Sequence, residues 1–197
     1  MSIAEQVHRV RNEVAEAAVR SGRTPEDVRL VAVSKTRPVA DVVEAIDAGI
    51  IHLGENRVQE AASKIPAISN NTVVWHLIGH LQSNKAKLAA PLFSWIDSVD
   101  SPKLNKRALE ADKKMHVLIQ VNISGEQSKY GIPPDEVKEL VTHISGHERL
   151  AVKGLLTIGS LGVSEATTRE EFKRMKGLFD SLKDDSEIGG TMKVLSM

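Results

Sequence analysis

The chain contains no cysteine. That absence excludes disulfides, thiolate metal sites and a cysteine nucleophile. Aromatic residues are scarce, with two Trp, one Tyr and three Phe in 197 residues. The core must therefore be aliphatic, and base-stacking platforms of the kind that bind single-stranded nucleic acid are not expected. Charge of neither sign is in excess, since 26 Lys and Arg face 26 Asp and Glu. No global field therefore draws the chain to nucleic acid or to an anionic membrane. Long apolar runs are also missing, so nothing is suited to span a bilayer. The first twenty residues alternate in charge and lack the apolar core of a signal peptide. A cytoplasmic protein with no nucleic-acid and no membrane partner is the expectation. What is present, 41% apolar and 26% charged residues, is ordinary for a globular protein and sufficient for one substantial domain.

Helix and strand patterns alternate from end to end. Ile3, Val7, Val10, Val14 and Ala18 share one helical face. Gly22 and Pro25 interrupt it, and residues 28–33 read as a strand of β-branched character. The same beat then recurs. Strands are predicted over residues 50–53, 73–78, 93–99, 115–121, 152–158 and 191–195. Between them, helices are predicted over residues 57–64 and 83–90, after Ser101-Pro102, from Pro133 onward, and from a capping box formed by Thr168 and Glu171. About seven apolar strands separated by helices imply a buried parallel sheet with helices outside. Two architectures satisfy this pattern, a doubly wound open sheet and an eight-stranded barrel. No Pro/Gly/Ser linker divides the chain, so residues 1–197 are expected to form one domain.

In either architecture, ligands bind where the strands end. The predicted strand exits carry Ser34-Lys35-Thr36, Glu55-Asn56, His80, Asp100, Asn122 with Lys129 beyond it, Thr157 with Ser160, and Ser196, while His76 lies within the third strand. Taken singly, a polar residue at a strand end needs no explanation beyond solvent. Their coincidence on one rim suggests a site. A lysine placed like Lys35 can be partly desolvated, and with Arg37 nearby its amine can become neutral and attack an aldehyde. The plain alternative is a lysine that snorkels from the strand end into water. His52, His76 and His80 lack the helical spacing of metal-ligand pairs, so no metal site is expected and His76 reads as a satisfied polar group inside the fold.

The segments VAVSKTRP (31–38), GENRVQE (54–60), WHLIGHLQSNK (75–85), QVNISGEQSK (120–129), GLLTI (154–158) and LSM (195–197) together resemble the signatures of the pyridoxal-phosphate homeostasis protein family. The resemblance runs over nearly the whole chain. It implies the amino-terminal barrel of alanine racemase standing alone, a TIM-type (β/α)8 barrel of the α/β class. It implies pyridoxal 5'-phosphate (PLP) as cofactor, joined to Lys35 as a Schiff base. Asn56, His76 and Ser196 are then cofactor-binding residues, and Lys129 is an accessory lysine. The implied role is to buffer PLP and deliver it, with PLP-dependent apo-enzymes as recipients, a monomeric state, and no robust catalysis. The alternatives are a low-activity PLP-dependent racemase or lyase, and a barrel that works through protein contacts without cofactor.

The chain also departs from the family. Arg37 stands where a second lysine is common, and an arginine cannot form a Schiff base. Leu155-Leu156 replaces a Leu-Met pair. Family members continue past the Leu-Ser-Met segment into a last helix and an eighth strand that supply phosphate contacts. Without them, the barrel expected here lacks its last helix and eighth strand, and its first and seventh strands are open edges. An incomplete chain is the expected reason.

Overall fold

The computed structural model describes residues 1–68, 70–102 and 114–197. The helix expected after Ser101-Pro102 lies outside the described residues. Seven strands form one sheet in the order of the chain, β1 (Ala32–Val33), β2 (His52–Glu55), β3 (Val74–Leu77), β4 (Trp95–Val99), β5 (Met115–Gln120), β6 (Leu150–Leu156) and β7 (Val194–Ser196). Every adjacent pair is parallel. Sequential, all-parallel order is that of a barrel wall. A doubly wound sheet reverses its strand order midway, so that alternative falls. Among the described residues β1 pairs with β2 alone and β7 with β6 alone.

The helices are α1 (Ile3–Arg20), α2 (Val39–Asp47), α3 (Val58–Lys64), α4 (Ala86–Ala89), α5 (Val137–Ser145) and α6 (Glu165–Lys183). The five predicted inward positions of α1 are all buried or half-buried. Ser2 and Glu5 close its first turn as a capping box. α1 also completes both ends of its connection to α2. Glu44 accepts from the Ile3 and Ala4 amides, while Arg11 donates to the Ala48 and Gly49 carbonyls that α2 leaves free.

The main core lies between the sheet and the helices. It is aliphatic as expected, with Ile50, Leu53, Leu77, Ile96, Ile119, Ile144 and Leu155 almost fully buried. A second, smaller cluster of Trp95, Leu118 and Leu156, flanked by Val74 and Val194, fills the inner face of the curved sheet. Two-sided burial is thus real for the central strands, where all five residues of β4 are buried. It fails at β1, where Val33 is half exposed on an edge strand.

Several boundaries differ from the sequence reading. β1 keeps two of its six predicted residues, because a 3-10 turn (Pro25–Asp27) occupies the approach and one neighbour alone defines the ladder. β2 begins two residues late, since Ile50 is used to pack the core before the strand pairs. The capping box predicted from Thr168 and Glu171 does not form. α6 starts earlier, with Ser164 as its N-cap receiving the Thr167 amide, and Glu171 is committed elsewhere.

β6 carries a bulge at Lys153, where its register with β5 shifts and Gly154 takes φ +146°. A Cβ at Gly154 would sit 1.8 Å from the Val194 carbonyl oxygen. Gly154→Ala is therefore expected to destabilise the fold by at least about 3 kcal/mol. Urea unfolding of the variant beside wild type measures this, and a loss under 1 kcal/mol would show that β7 can shift away.

Candidate functional site

Parallel register determines which side chains share the inner face of the sheet. Val33 pairs with Gly54, Gly54 with His76, His76 with Trp95 and Trp95 with His116. His76 is buried, and both ring nitrogens are engaged. Nδ1 lies 2.9 Å from Asp97 Oδ2 and Nε2 lies 3.0 Å from His52 Nδ1. A carboxylate only accepts, so His76 Nδ1 donates to Asp97. The His52–His76 contact holds one proton, so the two rings cannot both be imidazolium. Trp95 stacks on His76 at 5.3 Å, and His116 meets Trp95 edge-on at 4.8 Å. Burial, then Arg29, then His76 lower the His52 pKa to about 4. Burial, followed by Lys153, Lys114 and His76, also lowers that of His116. The lining is thus a row of aromatic rings anchored by one buried carboxylate, with His52 and His116 held toward the neutral form. The reading of His76 as a satisfied polar group agrees with this geometry.

Asn56 follows β2 directly. It is half-buried, and its Oδ1 is buried without a hydrogen-bond donor among the described residues. Its backbone packs so closely on the β3 exit that a Cβ at Gly79 would lie 2.3 Å from the Asn56 carbonyl oxygen. Glycine is required there because of this approach. Ser196, half-buried on β7, pairs with Leu156 and gives its carbonyl to the Thr157 amide.

Lys35 stands at the β1 exit. Its predecessor Ser34 is buried and turns its hydroxyl to Glu55 Oε1 at 2.7 Å, under α3. Lys35 follows in the turn after β1, whose last residue, Val33, lies on the face carrying Gly54 and His76. The expected desolvation is absent, because Lys35 is exposed. Arg37 is exposed as well and lies 3.8 Å from Asp41, in the first turn of α2, the helix that follows it. Thr36, next in line, has φ +62°. For a β-branched residue this costs about 1–3 kcal/mol and persists where the surroundings hold it.

Those surroundings lie on the helix side of the sheet. Lys64, buried on α3, donates to the Ser34 carbonyl at 2.7 Å, to Glu55 Oε1 at 2.6 Å and to Glu60 Oε1 at 3.0 Å. Glu60 Oε1 in turn accepts from the Thr36 amide at 2.6 Å. Burial alone would lower the Lys64 pKa, but the hydrogen bonds it donates to Glu55 and Glu60 outweigh it and the pKa is raised. The Lys64 hydrogen bond, helped by the Thr36 amide, holds Glu60 below the usual carboxylate range.

Lys129 is placed apart from this group, in the loop after β5. It pairs with Glu126 at 2.8 Å and donates to Ser160 Oγ at 3.0 Å. The buried Glu171 fixes the same Ser160 through its amide and hydroxyl. Nearby, Tyr130 stacks on His80 at 4.8 Å, and His80 lies 3.2 Å from Asp100.

The structure therefore places Lys35 and Asn56 just past the ends of β1 and β2 and His76 on β3, with Ser196 on β7 and Lys129 in the loop after β5. Sequence reasoning missed Asp97, Trp95, Glu60 and Lys64. Asp97 was marked by being a lone carboxylate inside an apolar strand. Glu60 and Lys64 were marked by their i, i+4 spacing, the helix that carries them lying just after a strand exit.

This arrangement defines the class. The model of the alanine racemase N-terminal domain matches residues 8–197, and alanine racemase from Enterococcus faecalis superposes with a TM-score of 0.71 at 16% identity over 92% of this chain and 49% of that one. The fold is thus that of the alanine racemase barrel, in the (β/α) form seen here with seven described strands. Closer likenesses narrow it. The pyridoxal phosphate homeostasis protein of Pasteurella multocida is 39% identical over 93% of this chain and 81% of its own length. PipY of Synechococcus elongatus, in its structure with PLP bound, is 33% identical with a TM-score of 0.79, covering 100% of this chain and 88% of that one. The chain belongs to the pyridoxal phosphate homeostasis protein family.

The lowered pKa of His52 makes stability pH-dependent. The unfolded ring takes up its proton near pH 6.5 and the folded one near 4. Between these values the unfolded state binds more protons, so stability is lost as pH falls from about 6.5 toward 4. Discounted for the partial exposure of the ring, the loss is about 1 kcal/mol, or about 3 °C in Tm. Melting curves at pH 7 and pH 4.5 for wild type and His52→Asn check this. The variant should lose less on acidification, and equal losses would contradict the assignment.

Proposed function

We propose that the chain binds PLP at the carboxyl-end mouth of its sheet, with Lys35 as the attachment residue, and that it holds and releases the cofactor within the cytoplasm as a homeostasis protein. The observation that carries this reading is the placement of Lys35. It follows β1 at the same end of the sheet as Asn56, whose Oδ1 has no donor among the described residues, with the anchored His76 ring on β3, in a chain that resembles a protein whose structure holds PLP.

The residues suit the group. PLP supplies an aldehyde that condenses with a primary amine. Lys35 offers such an amine at an exposed position, without an ion pair among the described residues, whereas Lys64 and Lys129 are paired. Asn56 Oδ1 offers an acceptor already stripped of water, so a donor on the ligand satisfies it at little further cost. His76 cannot swing, since Asp97 and His52 hold both nitrogens and Trp95 lies against its face. It provides a fixed wall. Ser196, at the end of β7, adds a hydroxyl on the opposite side of the mouth.

An attachment lysine open to water favours storage and transfer over turnover. Carbanionic chemistry needs water excluded and a second base in place. Tyr130, the one tyrosine, is largely exposed and stacked on His80. In this reading PLP-dependent apo-enzymes are the recipients.

Borohydride reduction of the protein loaded with PLP, followed by peptide mapping, is expected to place the pyridoxyl group on Lys35. The visible absorption band should vanish in Lys35→Ala, and Asn56→Ala should weaken binding about fivefold, as for one lost hydrogen bond. Pyridoxyl found on Lys129 instead would overturn the site. Sustained exchange of amino-acid α-protons by the loaded protein, followed by NMR and lost in Lys35→Ala, would replace storage by catalysis.

A further inference from the structure

Three charged side chains on the helix side of the sheet, Glu55, Glu60 and Lys64, converge on the tripeptide that contains Lys35, yet none of them touches its side chain. Lys64 uses all three of its protons, on the Ser34 carbonyl, Glu55 and Glu60. Glu60 receives the Thr36 amide. The two backbone groups so engaged, the carbonyl of residue 34 and the amide of residue 36, are those that bracket Lys35. We propose that Lys64 and Glu60 are positioning residues for Lys35: they fix the peptide units on either side of it and so set where its amine is presented. This inference rests on the reading of Lys35 as the attachment lysine.

Packing alone does not require this arrangement. α3 could seat on β2 through apolar residues, as it does with Val58 and Ala61. Placing an ammonium between two carboxylates there forfeits hydration that an apolar pair would never have needed. The network is spent on backbone geometry instead. Thr36 is held at φ +62°, a conformation that a β-branched residue leaves when it is not restrained. Without Glu60, the peptide after Lys35 can rotate toward an ordinary conformation. The Cα–Cβ direction of Lys35 then changes relative to Asn56 and His76. Small displacements of this kind weaken bond formation strongly, because reacting atoms must meet within a narrow range of distance and angle.

The argument predicts a specific rescue. Glycine adopts the left-handed conformation without strain, so Thr36→Gly should keep the turn even when Glu60 is absent. The test compares wild type, Glu60→Ala, Glu60→Ala with Thr36→Gly, and Lys64→Met. Each is titrated with PLP, and the pH midpoint of the visible band is recorded. Each is then reduced with borohydride to measure the fraction of pyridoxyl on Lys35. Circular dichroism follows the fold.

Glu60→Ala is expected to weaken PLP binding about tenfold and to move the band's pH midpoint by about half a unit, with its circular dichroism spectrum unchanged. Adding Thr36→Gly should recover most of that loss. Glu60 and Thr36 lie toward the surface, so the test stands on them even where Lys64→Met does not fold. Wild-type affinity, midpoint and Lys35 labelling in Glu60→Ala would overturn the proposal while leaving Lys35 as the attachment residue. Labelling absent from Lys35 in wild type would instead overturn the site reading, and this inference with it.

Discussion

Parallel pairing of strands in chain order is the constraint on which the rest of this structure depends. It sends every strand in the same direction and therefore brings every carboxyl end to one rim. Residues 21 positions apart in sequence, such as His76 and Asp97, become neighbours for no reason other than this. Lys35 and Asn56 follow β1 and β2, His76 lies on β3, and Asp97 reaches it from β4. The chemistry of the mouth is assembled by topology, and the apolar strand interiors supply the burial that keeps that topology in place.

Polar side chains are buried on both faces of the first four strands, and they are solved differently. Inside, imidazoles and an indole stack in a row with one carboxylate, and burial keeps His52 and His116 uncharged near neutral pH. Outside, charge is retained and matched, with Lys64 shared between Glu55 and Glu60. A lining of stacked rings suits a planar ligand. A charged network behind the wall has directional bonds, which suits it to holding backbone. The two solutions meet at the Ser34-Lys35-Thr36 turn. Ser34 belongs to the outer network, and Lys35 follows it in the turn.

Much of this was legible in the sequence, and the limits have physical causes. The central strands were readable because residues 115–121 and 93–99 are apolar on both faces, and a strand buried on both sides leaves a continuous signal. Edge strand β1 was overextended because Val28 and Leu30 look like strand residues yet lack a second neighbour to pair with. The start of α6 was misplaced because Thr168 and Glu171 match a capping box by spacing, whereas Ser164 wins the cap and Glu171 is drawn to Ser160. Lys35, Asn56 and His76 could be singled out because strand exits and motif likeness both point to them. The burial of Lys64 could not, since a Glu60–Lys64 pair four residues apart normally marks a solvated helix face. Its inward turn follows from Glu55 and the Ser34 carbonyl, which only the packed sheet places within reach.

The central claim is that a single amine, held at the end of the first strand, is where the cofactor joins the protein. A crystal structure of the protein grown with PLP tests it most directly. Electron density continuous from Lys35 Nζ into the cofactor, with Asn56 and His76 beside the ring, is the predicted result. Cofactor density joined to another lysine, with the Lys35 side chain left in solvent, would contradict it.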